Sequence, residues 1–172
     1  YITDILTNKT VDWLVNTRDS SKPFSLNLWH KAVHANHLPA PRHKNIFKDE
    51  KLPEPPYEMH KETFKGKPEW QRRKTFGFKW KQGDAIPKVL NTKKWPINEF
   101  KNMQLLRSLI AVDESLGKVI QTLEKIGELD NTVIIYSSDN GYFMGEHTFI
   151  DKRLAYENSI RVPMIILSLI HI

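Results

Sequence analysis

The feature that most constrains the fold is a long amphipathic segment followed at once by a short apolar one. Residues 98 to 126 carry an apolar stripe at helical spacing: Leu105, Leu106, Leu109, Leu116, Val119, Ile120 and Leu123. Asn98 is suited to cap the start of this helix, and Gly127 is suited to end it. Thr132–Tyr136 and Val162–Ile166 are short apolar runs typical of buried strands. This order predicts an α/β domain with mostly parallel strands.

Two shorter elements are predicted upstream. Residues 9 to 17 have apolar side chains at helical spacing and predict a short helix, with Thr7 or Asn8 as its cap. Phe24–Trp29 alternates between apolar and polar side chains, which predicts a strand in the same sheet as Thr132–Tyr136. Because ligand sites in α/β sheets lie at the carboxyl ends of strands, we expect both strand ends to face one site.

Between these elements, residues 39 to 97 form a long insert that is rich in proline and interleaves aromatic with basic side chains. Residues 42 to 95 contain 15 Lys or Arg and 7 Asp or Glu, a net charge of +8, whereas the whole chain carries +6. An ordered, basic excursion of this kind suits an anionic partner.

Composition excludes several kinds of protein. The 172 residues include no cysteine, which rules out disulfides, thiolate metal sites and a nucleophile made from cysteine within this chain. No apolar run approaches the ~20 residues of a membrane span, and the sequence does not open with a signal-peptide pattern. We therefore expect either a cytosolic protein or a chain whose natural N-terminus lies upstream.

The residues best suited to metal chemistry follow the strand predicted at Thr132–Tyr136. Asp139 offers a carboxylate and Asn140 an amide carbonyl, and these oxygen ligands are the ones that a hard divalent cation prefers. Gly141 is expected to let the chain turn sharply behind them. Taken alone, Asp-Asn-Gly is more often a hairpin turn. The polar, ionisable loop that follows, however, does not have the alternation of a returning strand.

Two further side chains suit an anionic substrate. Lys152 could hold a substrate oxygen as a point charge, although a single lysine is usually a solvated surface group. His34 lies among the histidines His30, His37 and His43, and a single histidine near a strand end is more often a structural hydrogen-bonding group. The four histidines do not have the spacing of a zinc site.

Together these motifs resemble the C-terminal half of the catalytic domain of sulfatases. The resemblance rests on Leu105–Asp113, Gly127–Thr132, Tyr136–Tyr142, Met144–His147, Asp151–Pro163 and, upstream, Lys22–Phe24 and His30–His34. It is nearest to sulfatases that act on sulfated sugars, such as N-acetylglucosamine-6-sulfatases. It implies an alkaline-phosphatase-like α/β sandwich, with a mostly parallel sheet flanked by helices, of which this chain is a fragment.

The resemblance implies roles for four residues. Asp139 and Asn140 match two ligands of a divalent cation, usually Ca²⁺, with Mg²⁺ as the alternative. His34 and Lys152 match catalytic groups that contact the sulfate and its leaving oxygen, where they would neutralise charge as the S–O bond breaks. The expected nucleophile is a formylglycine, made from Cys or Ser, that lies outside this chain. The expected partner is a sulfated small molecule or glycan, with neither nucleic acid nor a membrane span.

The sequence also departs from the family pattern. The formylglycine motif, the paired N-terminal aspartates and the first Lys-x-His pair are absent from these residues. We therefore expect residues 1 to 166 to be part of a catalytic domain that is inactive by itself, and residues 167 to 172 to be a non-native tail. The full-length protein is expected in the periplasm, outside the cell or in lysosomes. Four neighbouring charged residues lie in the matching motifs: Asp151 and Arg153, expected to brace the loop, and His147 and Arg161, without an assigned role.

Two other functions stay open at this point. A different alkaline-phosphatase-like hydrolase, such as a phosphodiesterase, would share the fold, but it would add histidines for two metals and lack the Asp151–Arg153 run. A non-enzymatic module for anionic polymers would use the basic, aromatic insert, although no nucleic-acid-binding motif is present.

Overall fold

The computed structural model describes residues 1–52, 99–144, 146, 150–152 and 154–168. The chain divides into two compact units, the first made of Tyr1–Glu50, Phe100–Ile135 and Ile166–Ile172, and the second of Lys51–Glu99 and Tyr136–Ile165. Most of the insert predicted at 39 to 97, and the predicted cap Asn98, lie outside the described residues.

The first helix begins earlier than the sequence predicted. Helix α1 spans Ile2–Asp12 and continues into one π-helical turn at Trp13–Thr17. Thr7 and Asn8, the two predicted caps, therefore lie inside the helix and do not cap it. The Thr7 hydroxyl donates to the carbonyl of Thr3 at 2.7 Å, which is the bond a hydroxyl makes within a helix.

The long helix is confirmed. Helix α2 spans Glu99–Lys125, and Gly127 follows with φ at +71°, the left-handed conformation that ends many helices. Its buried apolar side chains are Met103, Leu105, Ala111 and Leu123. Leu109, which the sequence placed on the buried stripe, is 38% exposed, so the buried face is rotated away from it.

The buried faces of both helices are lined by small hydroxyl side chains. These are Thr3, Thr7 and Thr10 on α1, and Ser108, Ser115 and Thr122 on α2. Ser108 and Thr122 donate to carbonyls one turn earlier, both at 2.7 Å, so their hydroxyls stay satisfied in the interior. Thr7 and Ser115 share a hydrogen bond of 2.6 Å that joins the two helices.

An ion-pair network ties α1 to α2. Arg42 lies in the 3₁₀ turn Pro41–His43. Its guanidinium donates two hydrogen bonds to the Asp4 carboxylate, at 2.9 and 2.7 Å, and two to one oxygen of Glu114, at 2.9 and 2.5 Å. Nε2 of His43, which is buried, donates to the other oxygen of Glu114 at 2.8 Å. Because Arg42 donates to both carboxylates, it holds the pKa values of Asp4 and Glu114 below their usual range.

We expect Arg42→Met to lower the free energy of unfolding by about 1 kcal/mol at pH 7, the upper end for partly exposed pairs. Carboxylates with lowered pKa values stabilise the fold above their ordinary values of 3.8 and 4.5, and this contribution is lost as the pH falls through the lowered values. The variant should therefore show a weaker loss of stability below about pH 4.5. Urea unfolding between pH 7 and 3 measures this. Lys9→Met, which removes an exposed lysine that bonds to neither carboxylate, is the control; equal pH dependence in both variants would contradict the expectation.

Within the described residues, four short strands follow α2. They are β1 (Ile134–Ser137), β2 (Phe143–Met144), β3 (Ile150–Asp151) and, after the short helix α3 (Glu157–Ile160), β4 (Met164–Leu167). Strands β1 and β4 form one sheet, which confirms the two predicted strands with shifts of one or two residues at their ends. Strands β2 and β3 pair antiparallel in a second sheet, with Phe143 opposite Asp151.

The strand predicted at Phe24–Trp29 is wrong. This segment is not assigned as a strand and is absent from both sheets of the described chain, so it does not share a sheet with β1. An alternating sequence becomes a strand only where a neighbour accepts its backbone hydrogen bonds. Here Phe24 packs edge-on against Trp13 with ring centroids 5.8 Å apart, whereas Trp29 remains 84% exposed.

The second unit has a small core behind β2. Phe143 is fully buried and packs against Leu154 and Tyr156, and the two rings meet edge to face with centroids 5.8 Å apart. In the described part of the chain, no helix is long and apolar enough to cross a membrane.

Candidate active site

Asp139 and Asn140 lie on the connection between β1 and β2. These two strands belong to different sheets, and β1 pairs with β4. A hairpin would pair the two strands on either side of its turn, so the hairpin interpretation of Asp-Asn-Gly is ruled out. The connection leaves the end of β1 as an irregular loop, which is where function-bearing side chains are commonly carried.

The oxygen atoms of this loop are available to a ligand. Asp139 is exposed, and within the described chain its carboxylate makes only a long contact of 3.5 Å with the Ser138 hydroxyl. The side-chain NH₂ of Asn140 donates to the carbonyl of Gly141 at 2.8 Å, which leaves the amide oxygen as the group that can bind a cation. The Ser138 hydroxyl lies 2.9 Å from the Asn140 carbonyl oxygen and donates to it, which holds the loop closed on itself.

This donor set fits a hard divalent cation but does not complete its site. A carboxylate and an amide oxygen are ligands of Ca²⁺ or Mg²⁺, and Ca²⁺ takes about 6 to 8 oxygens. Among the residues that the structure describes, no group of three or more His, Cys, Asp or Glu side chains could hold a metal. Asp139 and Asn140 could therefore offer at most part of the ligand set of such a cation, and the remaining oxygens would have to come from other groups.

Gly141 packs directly against α3. Its N–H donates to the carbonyl of Ser159 at 2.8 Å. A Cβ atom built on Gly141 would lie 2.3 Å from the carbonyl oxygen of Asn158 and 2.9 Å from that of Arg161. The φ angle of Gly141 is outside the left-handed region. The sequence predicted that glycine is needed here for a sharp turn. The structure gives a different reason, because glycine is required for the close approach of two backbones.

Lys152 directly follows β3, which pairs with β2, the strand after the Asp139–Asn140 loop. Asp151 pairs with Phe143 of β2, so the same register continued by one residue brings Lys152 beside Tyr142. Asp139, Asn140 and Lys152 all lie in the second unit. Lys152 is half-buried, so it is not a fully solvated surface lysine.

His34 lies in the first unit, on an irregular segment that follows Phe24–Trp29. It is exposed, and its Nδ1 is 3.0 Å from Nζ of Lys31 and 3.0 Å from the carbonyl oxygen of Ala35. An ammonium group only donates, and a carbonyl only accepts, so Nδ1 cannot bond both at once. We assign the bond from Lys31 because a charged donor makes the stronger hydrogen bond.

The other three histidines have separate structural surroundings. His37 is buried and its Nδ1–H donates to the Val33 carbonyl at 2.7 Å. His43 belongs to the Arg42 network described above. His30 is partly buried, and burial lowers its pKa because the charged ring loses solvation. These four histidines therefore have different surroundings and do not form one metal cluster.

Other residues of the matching motifs are only partly described. Asp151 belongs to β3, and Arg161 is exposed just after α3. His147 and Arg153 lie outside the described residues. Glu146, which had no predicted role, accepts a hydrogen bond of 2.6 Å from the backbone N–H of Met144. The convergence of His34 on the other three candidate residues stays a prediction.

Comparison with known proteins gives a consistent result. The profile of the sulfatase family matches residues 1–171. An N-acetylglucosamine-6-O-sulfatase of Bacteroides thetaiotaomicron is 35% identical over 214 aligned residues, which cover 96% of this chain and 38% of that protein. An arylsulfatase of Volvox carteri is 32% identical, covering 96% of this chain and 27% of its own length. The chain thus spans less than two fifths of these relatives.

A solved structure shares both fold and sequence. It is a complex of a protein with its substrate D-glucosamine-2-N,6-O-disulfate, and it is 32% identical with a TM-score of 0.68, covering 98% of this chain and 43% of that one. This likeness shows that the fold is the alkaline-phosphatase-like α/β fold that the sequence predicted. With a family profile that matches almost from end to end, the chain belongs to the sulfatase family.

Proposed function

We propose that this chain is part of an enzyme that hydrolyses sulfate esters of carbohydrates. The observation that carries the proposal is the Asp139–Asn140 loop after β1, whose Asp139 carboxylate is exposed and whose unit also carries Lys152. The substrate class is supported by the relative named N-acetylglucosamine-6-O-sulfatase and by the sulfated glucosamine bound to the related structure. Glucosamine derivatives with a 6-O-sulfate are therefore the first substrates to test.

Sulfatases use a divalent metal, and we propose Ca²⁺ held in part by Asp139 and Asn140, with Mg²⁺ as the alternative. A bound cation supplies charge that holds the sulfate and offsets the negative charge of its oxygens. Asp139 would contribute the charged ligand and Asn140 a neutral one, so the loop compensates only part of the charge of the ion. The exposure of Asp139 leaves its carboxylate open to that ligation.

We propose that Lys152 binds a sulfate oxygen and the bridging oxygen of the ester. When the S–O bond breaks, negative charge develops on the departing oxygen, and an ammonium group already in position stabilises it. Such a group stabilises the transition state more than the ground state, so it acts on the chemical step more than on binding. The placement of Lys152 directly after the β2–β3 pair, which follows the Asp139–Asn140 loop, supports this role.

We propose that His34 contacts the same leaving oxygen. Because the Lys31 ammonium donates to Nδ1 of His34, a neutral ring keeps its proton on Nε2. That nitrogen points its N–H away from Lys31 and is the one able to donate to an ester oxygen. Lys31 thus acts as a positioning residue that selects the tautomer able to donate a hydrogen bond from Nε2 to the leaving oxygen.

We expect Lys31→Met to change this tautomer. Without the ammonium donor, Nδ1 can take the proton and donate to the Ala35 carbonyl, 3.0 Å away, so the Nδ1–H form should gain population. Long-range ¹H–¹⁵N NMR of the neutral His34 ring reads the tautomer directly. Lys22→Met serves as the control, because Lys22 pairs with Asp19 and not with a histidine. Identical tautomer populations in both variants would remove the positioning role.

The nucleophile is proposed to lie outside this chain. The sequence holds no cysteine, and the family's formylglycine motif is not found in it. We propose that the catalytic domain is completed by residues beyond 1 to 166, that 167 to 172 are not native, and that the whole enzyme works in the periplasm, outside the cell or in lysosomes. By itself, the 172-residue chain should release no sulfate.

The proposal is tested on the complete enzyme that contains this chain. It should release sulfate from an aryl sulfate and from N-acetylglucosamine 6-sulfate, and it should contain one divalent cation per active site. Hydrolysis of a phosphodiester in preference to both sulfates, together with two bound zinc ions, would instead assign the chain to the phosphodiesterase type of activity.

A further inference from the structure

A close backbone approach to the candidate metal loop is made by a segment to which neither the sequence nor the proposed chemistry gives a role. Helix α3 is only four residues long, Glu157–Ile160, and Ser159 in it is 4% exposed. The backbone of this segment meets Gly141, the residue that directly follows the two proposed metal ligands.

Three backbone carbonyls surround Gly141. That of Ser159 accepts its N–H at 2.8 Å, while those of Asn158 and Arg161 lie 2.3 and 2.9 Å from the position that a Cβ would take. Contacts below 3.0 Å require something to move, and here the opposing atoms belong to the backbone and not to a flexible side chain. Position 141 therefore accepts a hydrogen atom and no larger group unless one of the two segments shifts.

The α3 segment is itself firmly held. The N–H of Ser159 donates to the carbonyl of Tyr156 at 2.8 Å, and that of Arg161 to Glu157 at 2.8 Å. Tyr156 packs against the buried Phe143 of β2. The segment is thus fixed to the same small core from which the metal loop emerges, so a shift on its side disturbs several hydrogen bonds.

We propose that the backbone of residues 158 to 161 is a positioning element for the metal ligands, with Gly141 as its contact point. The inference rests on the proposed metal role of Asp139 and Asn140. The hydrogen bond from Gly141 to Ser159 fixes the end of the loop, and the two neighbouring carbonyls set how closely it approaches. Because Asn140 is bonded to the carbonyl of Gly141, a displacement of Gly141 moves that ligand directly.

The test compares two glycine substitutions in the complete enzyme that contains this chain. Gly141→Ala should displace the loop, whereas Gly117→Ala, in α2 with nothing within 4 Å of the added Cβ, should not. Mn²⁺, a paramagnetic divalent ion, should broaden the backbone amide signals of Asp139 and Asn140 in the wild-type enzyme, with excess Ca²⁺ reversing the effect. We expect the Mn²⁺ affinity to fall about 10- to 100-fold in Gly141→Ala, as for lost supporting contacts around metal ligands, and to stay unchanged in Gly117→Ala.

Two further measurements separate the possible failures. Amide shifts of residues 138–143 and 157–162 should change in Gly141→Ala even without metal, and hydrogen exchange of the wild-type enzyme should show Gly141 N–H protected relative to Asp139 N–H. Unchanged shifts or an unprotected Gly141 would overturn the positioning role. The amide shifts and the protection of Gly141 could be as expected while Mn²⁺ causes no broadening in the wild type. That result would overturn the metal assignment, although the backbone contact itself would stand. Equal Mn²⁺ affinity in all three proteins would overturn the inference alone.

Discussion

Replacing Asp139 by alanine in the complete enzyme is expected to abolish sulfate release and to remove the metal. Asp139 is the charged ligand of the proposed pair, and its carboxylate has no strong competing partner in the described chain. A neutral methyl group cannot replace it, and the cation would lose a ligand that also offsets its charge. Metal content per protein, measured together with turnover of an aryl sulfate, should fall in parallel.

A matched substitution distinguishes this effect from a general loss of negative charge. Asp130, in the 3₁₀ turn Leu129–Asn131, is also exposed, and Asp130→Ala removes the same group from the first unit, which does not carry the two proposed ligands. It should leave metal content and turnover at wild-type levels. Full activity with full metal content in the Asp139 variant would contradict the metal assignment and most of the proposed function with it.

The second large effect is expected at Lys152. In Lys152→Ala, kcat for sulfate release should fall about 10²- to 10³-fold, the usual cost of losing one group that stabilises developing charge. The metal should remain bound, because a cationic side chain is not a ligand. The fall in kcat should be larger for a substrate with a poor leaving group than for one with a good leaving group such as nitrophenolate. A good leaving group stabilises the charge on its own departing oxygen, so it needs less help from the enzyme.

The control for this variant is Lys125→Ala at the end of α2, which removes an exposed lysine of the same kind. It should leave kcat unchanged. The Lys152 role would be contradicted by a variant that loses metal and activity together, or by one whose defect lies only in KM with an unchanged kcat. The first result would indicate a structural role, and the second would indicate simple ground-state binding.

Parts of the fold could be predicted from sequence because local patterns determine them. Helix α2 is long, periodic and followed by a glycine in the left-handed conformation, and these signals concern neighbouring residues only. The prediction of a strand at Phe24–Trp29 was wrong for the opposite reason. Its alternation was correct for a strand, but strand formation depends on a partner elsewhere in the chain, and a pattern within six residues carries no information about that partner.

The buried stripe of small hydroxyl groups was missed for a chemical reason. Hydrophobic periodicity searches for Leu, Ile and Val, and it counts Thr7 or Ser115 as surface residues. A hydroxyl can nevertheless be buried at little cost when it donates to the carbonyl one helical turn earlier, as Thr7 does. The spacing of the threonines in α1 could have indicated the buried face, since Thr3, Thr7 and Thr10 fall on one side of a helix.

The candidate site was predicted through the resemblance more than through the residues alone. Asp139 and Asn140 have the chemistry of metal ligands, but a hairpin turn fitted the same three letters, and only the pairing of β1 with β4 excludes it. The contact between Gly141 and α3 could not be derived from sequence, because it joins backbone atoms and leaves no side-chain pattern. Lys31 was visible beside His34, yet its effect on the ring depends on a distance that sequence does not give.

The fit between Gly141 and the α3 backbone has a practical consequence for protein engineering. The Asp-Asn-Gly tripeptide is not a portable motif, because its glycine packs against the backbone of residues 158 to 161, which belong to a separate stretch of the chain. A graft of the tripeptide onto another scaffold would need the second segment transplanted with it, at the same spacing. Likewise, a library that varies the lengths of the loops between these two segments should treat them as one inseparable cassette.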